Sequence, residues 1–289
     1  MIPNPKFKNL DLEFWANVKL LNQKLGYTIR KTKNNPKSGF VIPSVRDIIF
    51  TFREENLSYE RLVKDHMQLT ELGELLIQYM QYRGYVLEQY VRPNLMNKDQ
   101  AKALFEKIKG ELNSRCPLPY NKQKGDKKDF SFLTGLVNML IESNIGDQRC
   151  DYDPRELTSL TIDGYPVRTL SRRVDGAFPS TKDPIAIWEI KEYYYTTTFG
   201  SRVADGVYET QLDGWELWEA YTNLGRQIKH YLIIDDYYTW WDCGKSYLCR
   251  LIDSMHMGLV SEVLFGREVI DRIPVIVEEW KSINKKGSL

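Results

Sequence analysis

Apolar positions recur at helical spacing through the first third of the chain and change to short dense runs in the second half. Residues 9–27, NLDLEFWANVKLLNQKLGY, put Phe14, Val18 and Leu21 on one helical face, with Gly26 as the stop. PSVRDIIFTFREENLSYERLVKDHMQL reads as two helices broken near Glu55 to Ser58, with Ser58 capping the second. That outline fits a helix-turn-helix, with Tyr59, Arg61 and Lys64 near the start of the second helix, but fits an ordinary helical hairpin, the commoner packing unit, better. In TELGELLIQYMQYRGYVLEQYV, Leu72, Leu75, Leu76, Tyr79, Tyr82 and Val86 form a core stripe interrupted by Gly84, and KDQAKALFEKIKGELNSR continues the helical pattern.

The stretch 116–129, CPLPYNKQKGDKKD, mixes Pro, Gly and charge and divides the chain into residues 1–120 and 121–289. Beyond it the period changes. FSFLTGLVNMLIES reads as a helix with Leu133, Leu136, Val137, Leu140 and Ile141 on one face, and LTSLTIDGYPVRTLSRRVDGAF as strand, turn at Asp163-Gly164 and strand. IAIWEIK follows as a buried strand, residues Val203 to Leu224 as a helix, and IKHYLIIDD as a further strand parallel to it. KSYLCRLIDSMHMGLVSEVLFG reads as one long helix with Leu248, Leu251, Met255, Leu259 and Val263 on its stripe. The predicted fold class is α/β or α+β: a mixed β-sheet flanked by helices at 121–289, preceded by a mainly helical N-terminal domain.

Composition narrows this only a little. Hydrophobic residues make up 42% and aromatics 12% of 289 residues, a globular balance. No run reaches the ~18 apolar residues of a membrane span, and the first residues lack a signal peptide's apolar core, so a cytoplasmic protein is expected. Cys116, Cys150, Cys243 and Cys249 are far apart with no Cys-x-x-Cys, which argues against a zinc site or a disulfide framework. Net charge is +1, but residues 1–125 hold 21 Lys/Arg against 13 Asp/Glu and the remainder 19 against 26, so a basic part precedes an acidic one. The first can attract phosphate and the second a divalent metal, or each block only keeps its half soluble.

Candidate chemistry gathers in RRVDGAFPSTKDPIAIWEIKEYY. Side chains of a strand alternate, so Glu189 and Lys191 share a face with Ile185 and Ile187, while Ala186, Trp188 and Ile190 take the other. If the strand carrying Asp175 pairs with this one as a hairpin, across the PSTKDP turn, Asp175 meets Glu189 and Lys191. Two carboxylates suit Mg²⁺, which binds through one or two acids plus a substrate phosphate, and a neighbouring lysine can orient or deprotonate water or neutralise transition-state charge. The same residues also fit an exposed hairpin with a solvated Glu and Lys, except that they close an apolar strand where unpaired charge is costly.

Asp175, thirteen residues, Glu189, one residue, Lys191: this spacing resembles the signature of the PD-(D/E)XK nuclease superfamily, most like a type II restriction endonuclease. The resemblance spans about Asp129 to Asp235, and Val174 stands where the family's name has proline. It implies a restriction-endonuclease-like core and Mg²⁺-dependent hydrolysis of double-stranded DNA, with Mn²⁺ as a substitute metal, by a homodimer in a prokaryotic restriction setting. Asp175 and Glu189 would bind metal with the Ile190 carbonyl, and Lys191 would serve water and transition state. Glu142, at the end of the helix before the strands, is the acid that relatives sometimes add; a solvated helix-end carboxylate is the alternative. Glu209 and Gln211 resemble polar positions that help in some relatives. An exonuclease or repair member, or a non-catalytic DNA-binding protein on the same scaffold, are the rival readings.

Candidate DNA contacts are Arg30, Lys31, Lys33 and Lys37 in an acid-free connector, Arg61 and Lys64 in the second helix, and Thr196, Thr197, Thr198, Ser201 and Arg202 after Lys191. The connector also fits a surface loop, and the threonines a prolonged strand. No Gly-rich phosphate loop occurs, so no nucleotide cofactor is expected.

Overall fold

The computed structural model describes residues 1–29, 39–121, 129–195 and 200–287. It begins with α1 (Leu12–Leu25), a ribbon of β1 (Thr28–Ile29) and β2 (Gly39–Phe40), α2 (Val45–Glu54), a ribbon of β3 (Val63–Lys64) and β4 (Gln68–Leu69), and α3 (Glu71–Val86). A π-turn at Leu87–Val91 leads into α4 (Arg92–Asn94), α5 (Lys98–Glu111) and α6 (Phe132–Ile145). Then come β5 (Asp151–Tyr152), β6 (Ser159–Ile162), β7 (Tyr165–Thr169), β8 (Gly176–Phe178), β9 (Ala186–Glu192), α7 (Ser201–Leu224), β10 (Lys229–Asp235), α8 (Lys245–His256), β11 (Glu262–Phe265) and α9 (Val269–Gly287).

The organising element is a five-stranded mixed sheet in the order β11-β10-β9-β8-β5. Strand β9 lies at its centre, antiparallel to β8 with Gly176 opposite Trp188, and parallel to β10 with Leu232 opposite Glu189 and Ile234 opposite Lys191. Its alternation sends Ala186, Trp188 and Ile190 into one core with α5, α6 and α9, while Ile187 packs with Leu217 and Ala220 of α7. On this second face Leu232, Ile234, Val263 and Phe265 are covered by Val203 and Val207 of α7 and by α8. The sheet is thus buried between two helical layers, which is why both faces of β9 and β10 read as apolar.

Two glycines set close approaches here. A Cβ on Gly176 would lie 2.0 Å from the Trp188 indole, which crosses that position and stacks on Trp280 at 5.5 Å between ring centroids. On Gly214 it would lie 2.5 Å from the Leu259 carbonyl oxygen, so α7 presses backbone to backbone against the segment after α8.

The N-terminal block is helical, as its periodicity predicts, with Phe14, Val18, Leu76 and Tyr79 in one core. It is fixed to α8 by Arg83, fully buried, whose Nη1 donates to both Asp253 oxygens at 2.9 Å, and by the Tyr79 hydroxyl on Asp253 at 2.5 Å. Three details differ from the sequence pattern. Residues after Glu55 form the β3–β4 ribbon instead of a second helix: Asn56, His66 and Met67 take positive φ, and Val63 pairs with Leu69. Arg61 and Lys64 therefore lie on no recognition helix; Arg61 pairs with Glu13 at 2.7 Å. The long helix predicted to Gly266 stops at His256, because Gly258 turns at φ +83° and the β-branched, aromatic EVLF joins the sheet as β11. Lastly, Ala101, Phe105 and Ile108 of α5, counted with residues 1–120 in the sequence, pack into the core beside α6.

Candidate active site

The hairpin of β8 and β9 brings Asp175 and Glu189 to the same place. Asp175 donates its N–H to the Trp188 carbonyl at 3.1 Å, and its Oδ2 accepts the Ile190 N–H at 2.7 Å, so the carboxylate is held against the strand beside Glu189. Lys191 projects two residues on, with Nζ 3.1 Å from Glu189 Oε2. Glu189 is 1% exposed, far below what an unpaired carboxylate tolerates.

Its partners explain that. Arg172, on the segment between β7 and β8, donates through Nη1 to Glu189 Oε1 at 2.7 Å and through Nη2 to Oε2 at 3.2 Å. The same Nη1 reaches Asp213 Oδ2 at 2.7 Å, and Nη2 reaches Glu209 Oε2 at 3.3 Å. Lys191 Nζ closes the network on Glu209 Oε2 at 2.6 Å. Glu209 and Asp213 are one helical turn apart on α7 and so share its inner face, and Glu216, one further turn on, accepts from the Ser171 N–H at 3.0 Å and hydroxyl at 2.6 Å. Helix α7 therefore holds the 171–172 segment in place with three successive acids.

Four carboxylates, Asp175, Glu189, Glu209 and Asp213, thus surround two cations, Arg172 and Lys191. Burial first, and the acid excess after it, set the protonation of the group. Burial, then the charge of Glu189, pushes the Asp175 carboxyl up to about 7 against the pull of Lys191. Burial likewise pushes Asp213 up to about 7, against Arg172. Burial opposes ionisation of Glu189 too, but Lys191 and Arg172 hold it below the usual carboxylate range. For Lys191, burial favours the neutral amine, and the carboxylates of Glu189 and Asp175 reverse this and raise its pKa. An ammonium so held can donate hydrogen bonds and stabilise negative charge.

Among the described residues, Asp213 Oδ1 and His230 Nε2 are buried atoms near the cluster that have no protein partner. His230 donates its Nδ1–H to the Leu259 carbonyl at 2.9 Å, and burial holds its imidazole below the ordinary range. Among the described residues no three His, Cys, Asp or Glu side chains converge as a ready-made metal cage. Asp175, Glu189, Glu209 and Asp213 are hard oxygen donors, a chemistry that fits Mg²⁺, which needs only one or two carboxylates.

Residues 96–280 match the model of a domain of unknown function, DUF7687. The chain belongs to the DUF7687 family. Residues 1–90 match a second domain of unknown function, DUF7690. No curated protein and no solved structure matches the chain. The whole sheet and every member of the Asp175–Glu189–Lys191 cluster fall within the DUF7687 span. That span opens at Met96, whose N–H donates to the buried Asp235 carboxylate at 2.7 Å.

Within the DUF7687 region the remaining sequence candidates separate. Ile190 contributes its N–H to Asp175, and its side chain points to the opposite core. Glu142 does not join the group: α6 covers the other face of the sheet, and the Glu142 carboxylate accepts from the Ser114 hydroxyl and from the Arg115 N–H at 2.8 Å. Those hydrogen bonds outweigh partial burial and hold its carboxyl below the usual range. Gln211 faces α8, donating to Ser254 at 2.9 Å, whereas Glu209 is in the cluster. Arg202 is exposed in the first turn of α7, its carbonyl accepting from the Tyr193 hydroxyl at 3.0 Å, and Ser201 begins that helix. Arg30, Lys31, Lys33, Lys37, Thr196, Thr197 and Thr198 lie outside the described residues.

Arg172 and Asp213 are the functional candidates that sequence reasoning missed. A signal existed for both: Arg172 is three residues before Asp175, and Asp213 follows Glu209 at i+4 in a helix expected over the site. Nothing in the spacing says that an arginine would close over the acids.

Proposed function

We propose that the chain is a Mg²⁺-dependent nuclease that hydrolyses DNA phosphodiester bonds, an endonuclease of the restriction type on a PD-(D/E)XK-like sheet. The observation that carries this reading is the meeting of Asp175, Glu189 and Lys191 on the antiparallel β8–β9 pair, with Asp175 fixed by the Ile190 N–H. Bound at Asp175 and Glu189, Mg²⁺, or Mn²⁺ in its place, supplies Lewis-acid polarisation of the phosphate and an acidified water. Lys191 donates to the charge that grows on the phosphate oxygens, an interaction stronger in the transition state than in the ground state. Asp175 is oriented by the backbone before substrate arrives, so no rotamer has to be found. Arg202, exposed in the first turn of α7, suits a flanking phosphate. Double-stranded DNA presents two strands to cut, and a homodimer of this chain in a prokaryotic cytoplasm is the assembly that matches a palindrome.

One observation favours a second reading. Both oxygens of Glu189 are already bonded, to Arg172 and Lys191, and such a self-satisfied network stabilises a scaffold without any catalytic duty. In that case the protein binds DNA without cutting it. Incubation with supercoiled plasmid and Mg²⁺ separates the readings. Discrete linear fragments, absent with EDTA, support the endonuclease; degradation of linear DNA alone makes it an exonuclease; a mobility shift with intact plasmid leaves the scaffold.

A further inference from the structure

We propose that Arg172 is the resident counter-cation of the acidic pocket, and that it gives up Glu189 when a divalent ion binds. This rests on the metal-dependent reading above. The geometry assigns Arg172 the position an ion would contest: its Nη1 sits 2.7 Å from both Glu189 Oε1 and Asp213 Oδ2, and its Nη2 takes the second Glu189 oxygen at 3.2 Å. A cation arriving at Glu189 meets Arg172 on both oxygens, and two positive groups on one carboxylate repel each other, which favours release of the arginine.

The carboxylates cannot be the parts that move. Glu189 is 1% exposed on the central strand and Asp213 0% on α7, which Gly214 locks against Leu259. The arginine side chain is 22% exposed and rises from a connecting segment, so its guanidinium can turn outward while Glu216 keeps the Ser171 backbone in place. Asp213 Oδ1, buried and without a protein partner, is a further acceptor in the pocket that Arg172 leaves unsatisfied. Such an oxygen is an unused ligand for an ion, or an unused acceptor for the ion's water. Metal affinity is then reduced by the fraction of molecules in which Arg172 is disengaged, which makes Arg172 a positioning residue that sets the ion concentration at which the site loads.

The test is Mn²⁺ binding to the full chain after EDTA treatment, followed by electron paramagnetic resonance of free Mn²⁺. Arg172→Met keeps the aliphatic stem and removes the competitor, and it should bind Mn²⁺ about 10-fold or more tightly than the wild type if the wild-type arginine is engaged nine-tenths of the time. Arg172→Lys retains a cation and should stay near the wild type. Should Arg172→Met fail to fold, the wild type itself reports: the Arg172 side-chain Nε–H resonance should shift and exchange with solvent as Mg²⁺ is added. Mn²⁺ binding by the wild type with equal or weaker binding by Arg172→Met overturns the inference, as does an Arg172 resonance that stays fixed while the ion binds. If neither protein binds Mn²⁺, the metal-dependent reading fails and takes this inference with it.

Discussion

Arg172 Nη1 donates to Glu189 Oε1 at 2.7 Å, joining the segment before β8 to the buried centre of β9. A carboxylate in that position needs a partner, since removing one member of a buried pair typically costs about 3–5 kcal/mol. The pair therefore accounts for how Glu189 survives on an apolar strand in the absence of substrate. The presence of Asp175, Glu189 and Lys191 together therefore does not by itself require catalysis, because the charges satisfy one another.

Replacing Lys191 distinguishes catalysis from mutual satisfaction. Lys191→Met leaves Glu189 paired with Arg172, so the protein should fold and bind DNA within a few-fold of the wild type. Plasmid cleavage should fall about 10²–10³-fold, the usual loss on deleting one donor aimed at developing charge. Cleavage and fluorescence anisotropy measured on one preparation decide it, and undiminished cutting would remove Lys191 from the mechanism.

Much of the sheet was legible because its strands are buried on both faces. IAIWEIK and IKHYLIID are dense apolar runs, and the β9–α7–β10 succession makes parallel pairing natural. The hairpin that joins Asp175 to Glu189 followed from a two-residue period. What was not legible depended on partners remote in sequence. KSYLCRLIDSMHMGLVSEVLFG keeps a helical stripe through Leu259 and Val263, yet Gly258 and the vacant edge of β10 win locally and make β11. YERLVKDHMQL has a helical pattern too, but Leu62 and Val63 are drawn into the α1–α3 core as a ribbon. Glu142 reads as available because its partners, Ser114 and Arg115, stand at the end of a run with a helical pattern, and only the end of α5 at Glu111 frees them to reach α6.

Stability should record the buried proton of Asp213. Its folded pKa, pushed up to about 7 by burial, lies above the ~3.9 of an unfolded aspartate, so the native state binds this proton more tightly. The associated stability is present at low pH and is lost as pH rises from about 4 toward about 7, by at most ~1.4 kcal/mol per pH unit. Asp213→Asn keeps an acceptor for Arg172 and has no proton to lose. Its unfolding free energy should accordingly gain on the wild type across that window. Asp175, Glu192 and Asp235, also pushed up to about 7 by burial, titrate in the same direction but remain in both proteins, so the difference isolates Asp213. Urea titrations in EDTA at several pH values measure it; parallel curves would mean that Asp213 is already ionised in the folded state.

Glu142 offers the opposite kind of test, a structural role with no metal dependence. Its carboxylate is acceptor for the Ser114 hydroxyl and the Arg115 N–H, tying the end of α6 to the segment that follows α5. Glu142→Gln retains one acceptor oxygen and removes the charge. A hydrogen bond to a charged acceptor contributes about 1.5–3 kcal/mol and a neutral one about 1, so unfolding free energy should drop by about 1 kcal/mol. The Mg²⁺ concentration giving half-maximal cleavage should not change, because α6 lies across the sheet from Glu189. A carboxylate supporting the metal ligands would instead raise that concentration ~10 to 100-fold. Measuring both quantities on the same variant separates the two roles: lower stability with a superimposable Mg²⁺ curve assigns Glu142 to the α5–α6 connection, and a shifted curve with unchanged stability would return it to the site.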